Sequence, residues 1–170
     1  QFMLDMISNG FREKMTLFWS NHFVTQLETY NCPSYMWQYY TLLQQNGLGN
    51  FKTFVSEIGL TPAMLRYLNG FENTAAEPNE NYARELYELF TLGENNGYTQ
   101  DDIVETARAL SGYVGIDVFC GPITFLADQH DNEDKTIFGQ TGNWGYLDVI
   151  DILFEQRTDE VAEHICKKLY

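Results

Sequence analysis

Apolar residues recur at three- and four-residue intervals along most of this chain, and Gly, Pro or capping residues break the recurrences, which is the pattern of successive helices. From Phe11 to about Gln26, the residues Phe11, Met15, Phe18 and His22 share one face, and Leu17, Trp19, Phe23 and Val24 widen it. A helix so apolar nearly all round is expected to be buried. Ser34 is placed to cap a helix carrying Met36, Trp37, Tyr40 and Leu43, which Gly47 ends. Asn50 is placed to cap a shorter one through Phe51, Phe54, Val55 and Ile58, closed by Gly59. Thr61-Pro62 restarts the pattern with proline at the first helical position, and Gly70 stops it. After a polar loop, the stretch from Pro78 to Gly93 puts Tyr82, Ala83, Leu86, Leu89 and Phe90 on one side of a further helix. Beyond Asn95-Asn96-Gly97, Thr99 and Asp102 form a capping box ahead of Ile103, Val104, Ala107 and Leu110, and this helix is expected to end near Gly112.

The period then changes. Ile123 to Ala127 and Thr136 to Phe138 are short β-prone runs on either side of an acidic turn, Asp128 to Asp134, and predict a small hairpin. Two helices come next, about Tyr146 to Glu155 and Asp159 to the end, the second capped by Thr158. The expected fold is therefore mainly α: a compact multi-helix domain with one small β-hairpin near residues 123–138. No internal repeat appears at a fixed period.

The polar side of the Pro78 to Gly93 helix holds the densest charge. Glu80, Arg84 and Glu88 form an i, i+4, i+8 ladder, and Asn81, Glu85 and Glu88 a second row beside it. On a solvated face each pair contributes only about 0.3 to 0.5 kcal/mol. In the following helix Glu105 and Arg108 repeat the pairing at i, i+3, so a structural ion-pair network of Glu80, Arg84, Glu105 and Arg108 is expected, with Arg84 reaching a Glu on that helix. Two arginines against three or four glutamates leave surplus carboxylate, which implies a raised pKa or a missing cation. A solvated face, a buried network and a catalytic or metal-binding cluster all remain open.

Composition narrows the function classes. At 170 residues and 44% hydrophobic content the chain can bury one sizeable core, and its 15% aromatic content argues against disorder. Ten basic against twenty-four acidic residues give a net charge of -14, which repels phosphate backbones, so neither nucleic acid nor an anionic membrane surface is an expected partner. No apolar run approaches the roughly 20 residues needed to span a bilayer. Cys32, Cys120 and Cys166 contain no close pair, which argues against a zinc ribbon or redox motif. One disulfide plus a free thiol, or three buried thiols, remain as readings.

The three histidines, His22, His130 and His164, occupy different contexts. His22 lies on an apolar face and needs a hydrogen-bond partner. The row Asn81, Glu85 and Glu88 is the densest supply of acceptors, so His22 is expected within reach of Glu85 or Glu88. His130 lies in the oxygen-rich turn. Asp128, His130, Asp131 and Asp134 are the candidate metal ligands there, for a weakly held divalent cation such as Ca²⁺, although the alternating aspartates and central glycine of an EF-hand are missing. His164, beside Lys167 and Lys168 near a helix end, reads as an exposed residue favoured by the helix dipole. P-loop, dinucleotide, nucleophile-elbow, H-E-x-x-H and haem-attachment signatures are absent.

Arg12-Glu13-Lys14-Met15 leading into Phe18-Trp19-Ser20-Asn21-His22-Phe23, then Gly49-Asn50-Phe51, Pro62-Ala63-Met64-Leu65 and the whole Pro78 to Gly93 stretch succeed one another here. Tyr98-Thr99-Gln100-Asp101-Asp102, Ala107-Arg108-Ala109-Leu110-Ser111-Gly112, and His130-Asp131 with Lys135 and Gly139 continue the order. Taken together, the sequence resembles the bacterial domain-of-unknown-function 1800 family, from about Phe11 to Tyr170. The resemblance implies a mainly helical, often exported protein, periplasmic, cell-surface or secreted, commonly encoded beside a sulfatase-like or phosphatase-like partner. It also implies that residues 1–170 are one helical domain belonging to a longer family domain truncated at both ends. The family's Trp-His-Asn-His pattern appears here as Trp19-Ser20-Asn21-His22, so Ser20 removes one candidate ligand. The function expected is a cation-assisted or general acid/base hydrolase with His22, Glu85 and Glu88 as catalytic candidates. The alternative is a non-catalytic cell-surface or secreted structural or binding protein.

Overall fold

The computed structural model describes residues 10–114 and 120–170, and these fall into two compact units, one up to Tyr67 and one from Leu68 onward. The first unit is five helices: α1 (Phe11–His22), α2 (Leu27–Tyr30), α3 (Pro33–Asn46), α4 (Phe51–Gly59) and α5 (Pro62–Tyr67). α1 packs on α3, α3 on α4 and α5, and α2 on α5. The core is aromatic, with Trp19, Phe23, Tyr35, Tyr39 and Phe54 joined by Leu43, Val55, Ile58, Met64 and Leu65. Trp19 donates its indole N–H to the Gly47 carbonyl at 2.8 Å, and a Cβ at Gly47 would sit 3.0 Å from the indole ring and 2.7 Å from the Leu43 carbonyl. Only glycine permits that approach.

Some local expectations hold and some shift. Asn50 caps α4 by accepting from the Thr53 amide at 3.0 Å. α3 instead begins at Pro33, with Cys32 rather than Ser34 at the cap position and no side-chain cap bond. α1 stops at His22, and Phe11, Leu17 and Val24 are exposed, so the helix is buried along one stripe only. Thr158 is the first residue of its helix rather than the cap, and its hydroxyl donates back to the Phe154 carbonyl.

The second unit holds α6 (Asn81–Glu85), a π-helical continuation (Leu86–Thr91), α7 (Gln100–Ala109), a two-stranded antiparallel hairpin of β1 (Lys135–Ile137) and β2 (Gln140–Gly142), then α8 (Tyr146–Gln156) and α9 (Thr158–Leu169). α7 packs against β1, α6 and α8, while α9 packs on α8 and on the π segment. The capping box on α7 forms as expected: the Thr99 amide donates to Asp102 Oδ2 at 2.8 Å and the Asp102 amide to Thr99 Oγ1 at 3.1 Å. Among the described residues no helix is long and apolar enough to cross a membrane.

The fold is mainly α with one hairpin, but the hairpin lies further along than the sequence pattern predicts. Thr136 pairs with Thr141, not with any residue of the Ile123 to Ala127 run, which enters a 3-10 turn at Ala127–Gln129. The reversal is the two-residue link Phe138-Gly139, with φ of 48° and 79°. Glycine takes a positive φ freely, whereas phenylalanine there costs on the order of 1 kcal/mol. Tertiary contacts offset that cost. The Phe138 amide donates to Asp102 Oδ1 at 2.7 Å, and the Arg157 guanidinium lies 4.6 Å from the Phe138 ring centre.

Candidate functional site

The stretch Pro78 to Gly93 does not stay in one helical register. After Glu85 the backbone widens to π geometry, with the Leu92 amide donating to the Tyr87 carbonyl at 2.8 Å, five residues back. Thr91 adds a hydroxyl bond to the Leu86 carbonyl, also five residues back. The wider turn rotates the residues beyond it. Tyr87 is fully buried and Leu89 is half exposed, the reverse of what a uniform 3.6-residue period predicts. π turns recur at functional sites because they re-aim side chains that a regular helix would place elsewhere.

Glu85 stands at that transition. It is half-buried, and its Oε2 is shielded from solvent without a hydrogen-bond partner, the one such side-chain atom among the described residues. Burial raises its pKa above the ordinary carboxyl range, the nearby Glu88 charge raises it further, and Arg84 opposes both. Glu88 pairs with the Arg84 guanidinium at 3.6 Å. Arg84 also reaches Glu80 Oε2 at 2.8 Å and Gln100 Oε1 at 3.1 Å, and Gln100 Nε2 in turn donates to Glu80 Oε2 at 2.8 Å.

The expected four-residue network of Glu80, Arg84, Glu105 and Arg108 therefore divides in two. Arg84 meets α7 through the amide of Gln100, not through a glutamate, and its side chain and that of Glu80 are over a third exposed. Glu105 lies more than a turn further along α7 and binds its own neighbour, Arg108, at 2.9 Å through both carboxylate oxygens.

Arg108 ties α7 to the acidic turn. Its Nε donates to Asp131 Oδ2 at 2.7 Å and its Nη2 to Asp131 Oδ1 at 3.3 Å, a two-pronged pair. Burial pulls the Asp131 carboxyl upward, but the Arg108 bonds, the Glu133 amide and the Lys135 charge outweigh it and hold the carboxyl below its ordinary range. The Lys135 side chain, 1% exposed, donates its ammonium to the carbonyls of Asp131 at 2.5 Å and Glu133 at 2.9 Å, and to Asn143 Oδ1 at 3.3 Å. His130 is turned inward, its Nδ1 donating to the Ser111 carbonyl at 2.9 Å, while Asp128 and Asp134 are exposed.

The candidate metal ligands Asp128, His130, Asp131 and Asp134 thus do not converge, and among the described residues no group of three or more His, Cys, Asp or Glu is arranged to hold a metal ion. The Asp131 carboxylate is taken by the guanidinium of Arg108, and the Asp131 and Glu133 carbonyls by the ammonium of Lys135. Of the carboxylates in this turn, Asp131 is the one paired with Arg108.

His22 belongs to the first unit and its expected carboxylates, Glu85 and Glu88, to the second. Within its unit His22 is 5% exposed and packed by aromatic rings, with Phe23 4.5 Å, Trp19 5.5 Å and Phe51 6.2 Å away by ring centres. The sequence reading missed Glu13, a buried carboxylate on α1 that accepts from the Tyr40 hydroxyl at 3.1 Å and from Gln44 Nε2 at 2.9 Å. Its place three residues before Thr16 and six before Trp19, both buried, was the available signal. His164 is not a free surface residue. Its Nε2 and the Lys168 ammonium both meet the Leu89 carbonyl, at 3.2 and 2.9 Å, at the end of the π segment. Cys32 and Cys120 are disulfide-bonded, and Cys166 is a free, exposed thiol.

No curated protein and no solved structure matches the chain. A family model does, over residues 2–170, and it spans every element described above, from α1 with its buried histidine to the π turn, the arginine-braced acidic turn and α9. The chain belongs to the family described as "Protein of unknown function (DUF1800)".

Proposed function

We propose that this chain is part of an exported bacterial hydrolase whose proton chemistry runs on the carboxyl pair Glu85 and Glu88. The observation that carries the reading is the dry, unbonded Oε2 of Glu85 beside Glu88 at the start of the π turn. A carboxyl that holds its proton to higher pH than its neighbours is suited to act as a general acid on a leaving group. A second carboxylate kept ionised beside an arginine, as Glu88 is beside Arg84, is suited to accept a proton from water. His22, the third candidate, completes the set offered by the sequence. Export is supported by the disulfide-bonded Cys32 and Cys120, a state that persists in oxidising compartments. Native alkylation followed by mass measurement should therefore tag Cys166 alone.

The test is turnover on chromogenic carboxyl esters, glycosides, phosphate esters and sulfate esters between about pH 4 and 8, alone and with a sulfatase-like or phosphatase-like protein added. Hydrolysis by the wild type that is lost in folded Glu85→Gln and Glu88→Gln, and reduced in His22→Asn, supports the reading. Inactivity across the panel, or activity retained in both glutamate variants, removes it. The non-catalytic alternative, a cell-surface structural or binding protein, draws support from the fully partnered Arg108 and Lys135 cluster, whose bonds only join helix to turn.

A further inference from the structure

α9 is joined to the rest of the second unit differently at its two ends. At its start a single residue, Arg157, separates it from α8, and that residue is fixed. Its Nε donates to the Gly97 carbonyl at 2.6 Å, and its guanidinium lies 4.6 Å from the Phe138 ring centre. Along its length α9 buries two residues, Val161 and Ile165. Towards its far end His164 and Lys168, one turn apart, share one acceptor. His164 Nε2 lies 3.2 Å and the Lys168 ammonium 2.9 Å from the Leu89 carbonyl of the π segment. With so little apolar area buried, these two polar contacts decide whether that end of α9 stays docked.

The imidazole is closely seated. Gly93, just beyond the π segment, has φ of 94°, and a Cβ there would lie 2.8 Å from His164 Nδ1, so both the backbone and the ring above it require glycine. A carbonyl only accepts, so the neutral ring carries its hydrogen on Nε2, and Nδ1, on the Gly93 side, is the nitrogen that takes up a second proton. On α9 itself Lys167 and Lys168 lie one turn on, Glu160 one turn back and Glu163 adjacent, and Glu163 is paired with Lys167 at 2.5 Å. From the π side the ring meets backbone, the Leu89 carbonyl and Gly93, while Glu88 there pairs with Arg84 and Glu94 is exposed. α8, the other element packed on α9, carries Asp148, Asp151 and Glu155 at exposed positions. Burial disfavours the imidazolium, the Leu89 carbonyl favours it, and the charges of Lys168 and Lys167 oppose it again, which together hold the His164 pKa below its ordinary range.

We propose that α9 is a latch on the π segment that opens on mild acidification, with His164 as its sensor and Arg157 as its hinge. The proposal concerns how the segment is held and does not depend on the acid/base reading of Glu85 and Glu88. Near neutral pH a neutral imidazole and one ammonium share the Leu89 oxygen. Protonation at Nδ1 sets a second cation beside the first on that single acceptor, where the two repel and the imidazolium is better served by water. Because the docked helix holds the imidazole pKa low, the undocked helix binds the proton first as pH falls. The contribution of His164 to docking is complete above the ordinary histidine value and is lost as pH drops through the docked one. With the latch open, the Leu89 carbonyl loses both side-chain donors, and the π register that re-aims the residues after Glu85 keeps the packing of Tyr87 as its anchor.

The experiment is amide hydrogen exchange on the whole chain between about pH 5 and 7.5, expressed as protection factors so that the intrinsic rate drops out, with circular dichroism confirming that each variant is folded. In the wild type, protection in α9 and over residues 89–93 should fall at least about fivefold from the upper to the lower pH, while α7 keeps its own. His164→Gln keeps a neutral donor that does not titrate, so its fall should be absent. Lys168→Met should start from lower protection at neutral pH and show a smaller fall, because the imidazolium is better tolerated once the ammonium is gone. A comparison within the wild type needs no variant: the fall should follow the titration of the His164 ring protons read by NMR. Protection that stays flat in the wild type, a fall that persists in His164→Gln, or one that does not follow the His164 titration overturns the latch. A loss that spreads equally through α7 is general acid unfolding and overturns it as well.

Discussion

Two arginines in the second unit, Arg84 and Arg108, are each set among carboxylates on neighbouring helices, and the structure uses them differently. Arg108 is met from three directions, by Glu105 on its own helix, by Asp131 in the acidic turn and by the Asp134 carbonyl. With Lys135 beneath, every charge in that cluster has an opposite charge or a dipole against it. Arg84 is more exposed, and one oxygen of its neighbour Glu85 has no partner at all. A saturated cluster has no capacity left for a ligand and serves as a staple. An unsaturated one stores an unfavourable interaction that only substrate, proton or water relieves, which is why the carboxyl pair and not the acidic turn is assigned the chemistry.

The comparison breaks most sharply at Lys135. Its ammonium satisfies two backbone carbonyls and Asn143, and it is buried among them. Lys135→Met keeps the side-chain length but removes the donors, so urea unfolding should show a loss of about 3 kcal/mol, the scale for several buried acceptors left unpaired. A loss below about 1 kcal/mol would mean that water replaces the ammonium and that the turn is not closed. The next largest effect is expected at Arg108. Its pair with Asp131 is mostly shielded, with side chains 22% and 12% exposed, so Arg108→Ala should cost about 2 kcal/mol.

The Arg108 cluster also carries a pH signature. The Asp131 carboxyl is held below its ordinary range in the folded chain, so the unfolded chain binds the proton first as pH falls. Its contribution is complete above the ordinary aspartate value and is lost as pH drops through the folded one. That acid-side loss should be weaker in Arg108→Ala.

Arg84→Ala sharpens the contrast from the other side. From sequence alone the expectation at this residue is strong destabilisation, because Glu105 and Arg108 repeat its charge pattern and complete a shared buried network. With Arg84 and Glu80 36% and 38% exposed and the α7 partner an amide, the cost should stay below about 1 kcal/mol. A larger loss in urea unfolding would show that the two clusters behave as one.

How much of the fold was legible in the chain depends on how local each signal is. The caps at Asn50 and Thr99 and the proline start at Pro62 depend on residues within one turn of each other, and they appear as expected. The π turn does not, because its register is fixed by Tyr87 packing inward and by α9 meeting the Leu89 carbonyl, contacts from distant sequence. The hairpin moved for a similar reason. Phe138-Gly139 lacks the usual Asn-Gly turn signal and is held by Asp102 and Arg157 from elsewhere in the unit. Of the site, the surplus of carboxylate was readable from counting charges. Which carboxylate was left over was not, since that depends on Gln100 and Asp131 taking the arginines.

Glu85→Gln should produce the smallest change in stability, and the most informative in sign. The amide has the same shape but no charge to desolvate. With solvent screening of a half-exposed group allowed for, the variant is expected to be more stable than the wild type at neutral pH by about 0.5 to 1 kcal/mol. The direction comes from linkage. Glu85 has a raised pKa in the folded chain, through burial and then through Glu88, so between the ordinary glutamate value and the folded value the folded chain holds a proton that the unfolded chain has released. Wild-type stability therefore falls as pH rises through that window, and the penalty is fully present above it. The advantage of Glu85→Gln should be greatest above the folded value and should vanish below the ordinary glutamate value. Parallel urea titrations at several pH values measure that difference directly. A variant that is less stable than wild type at neutral pH would mean that the Glu85 carboxylate makes a favourable contact in its charged form, and the unsaturated cluster would then be a staple like the one around Arg108.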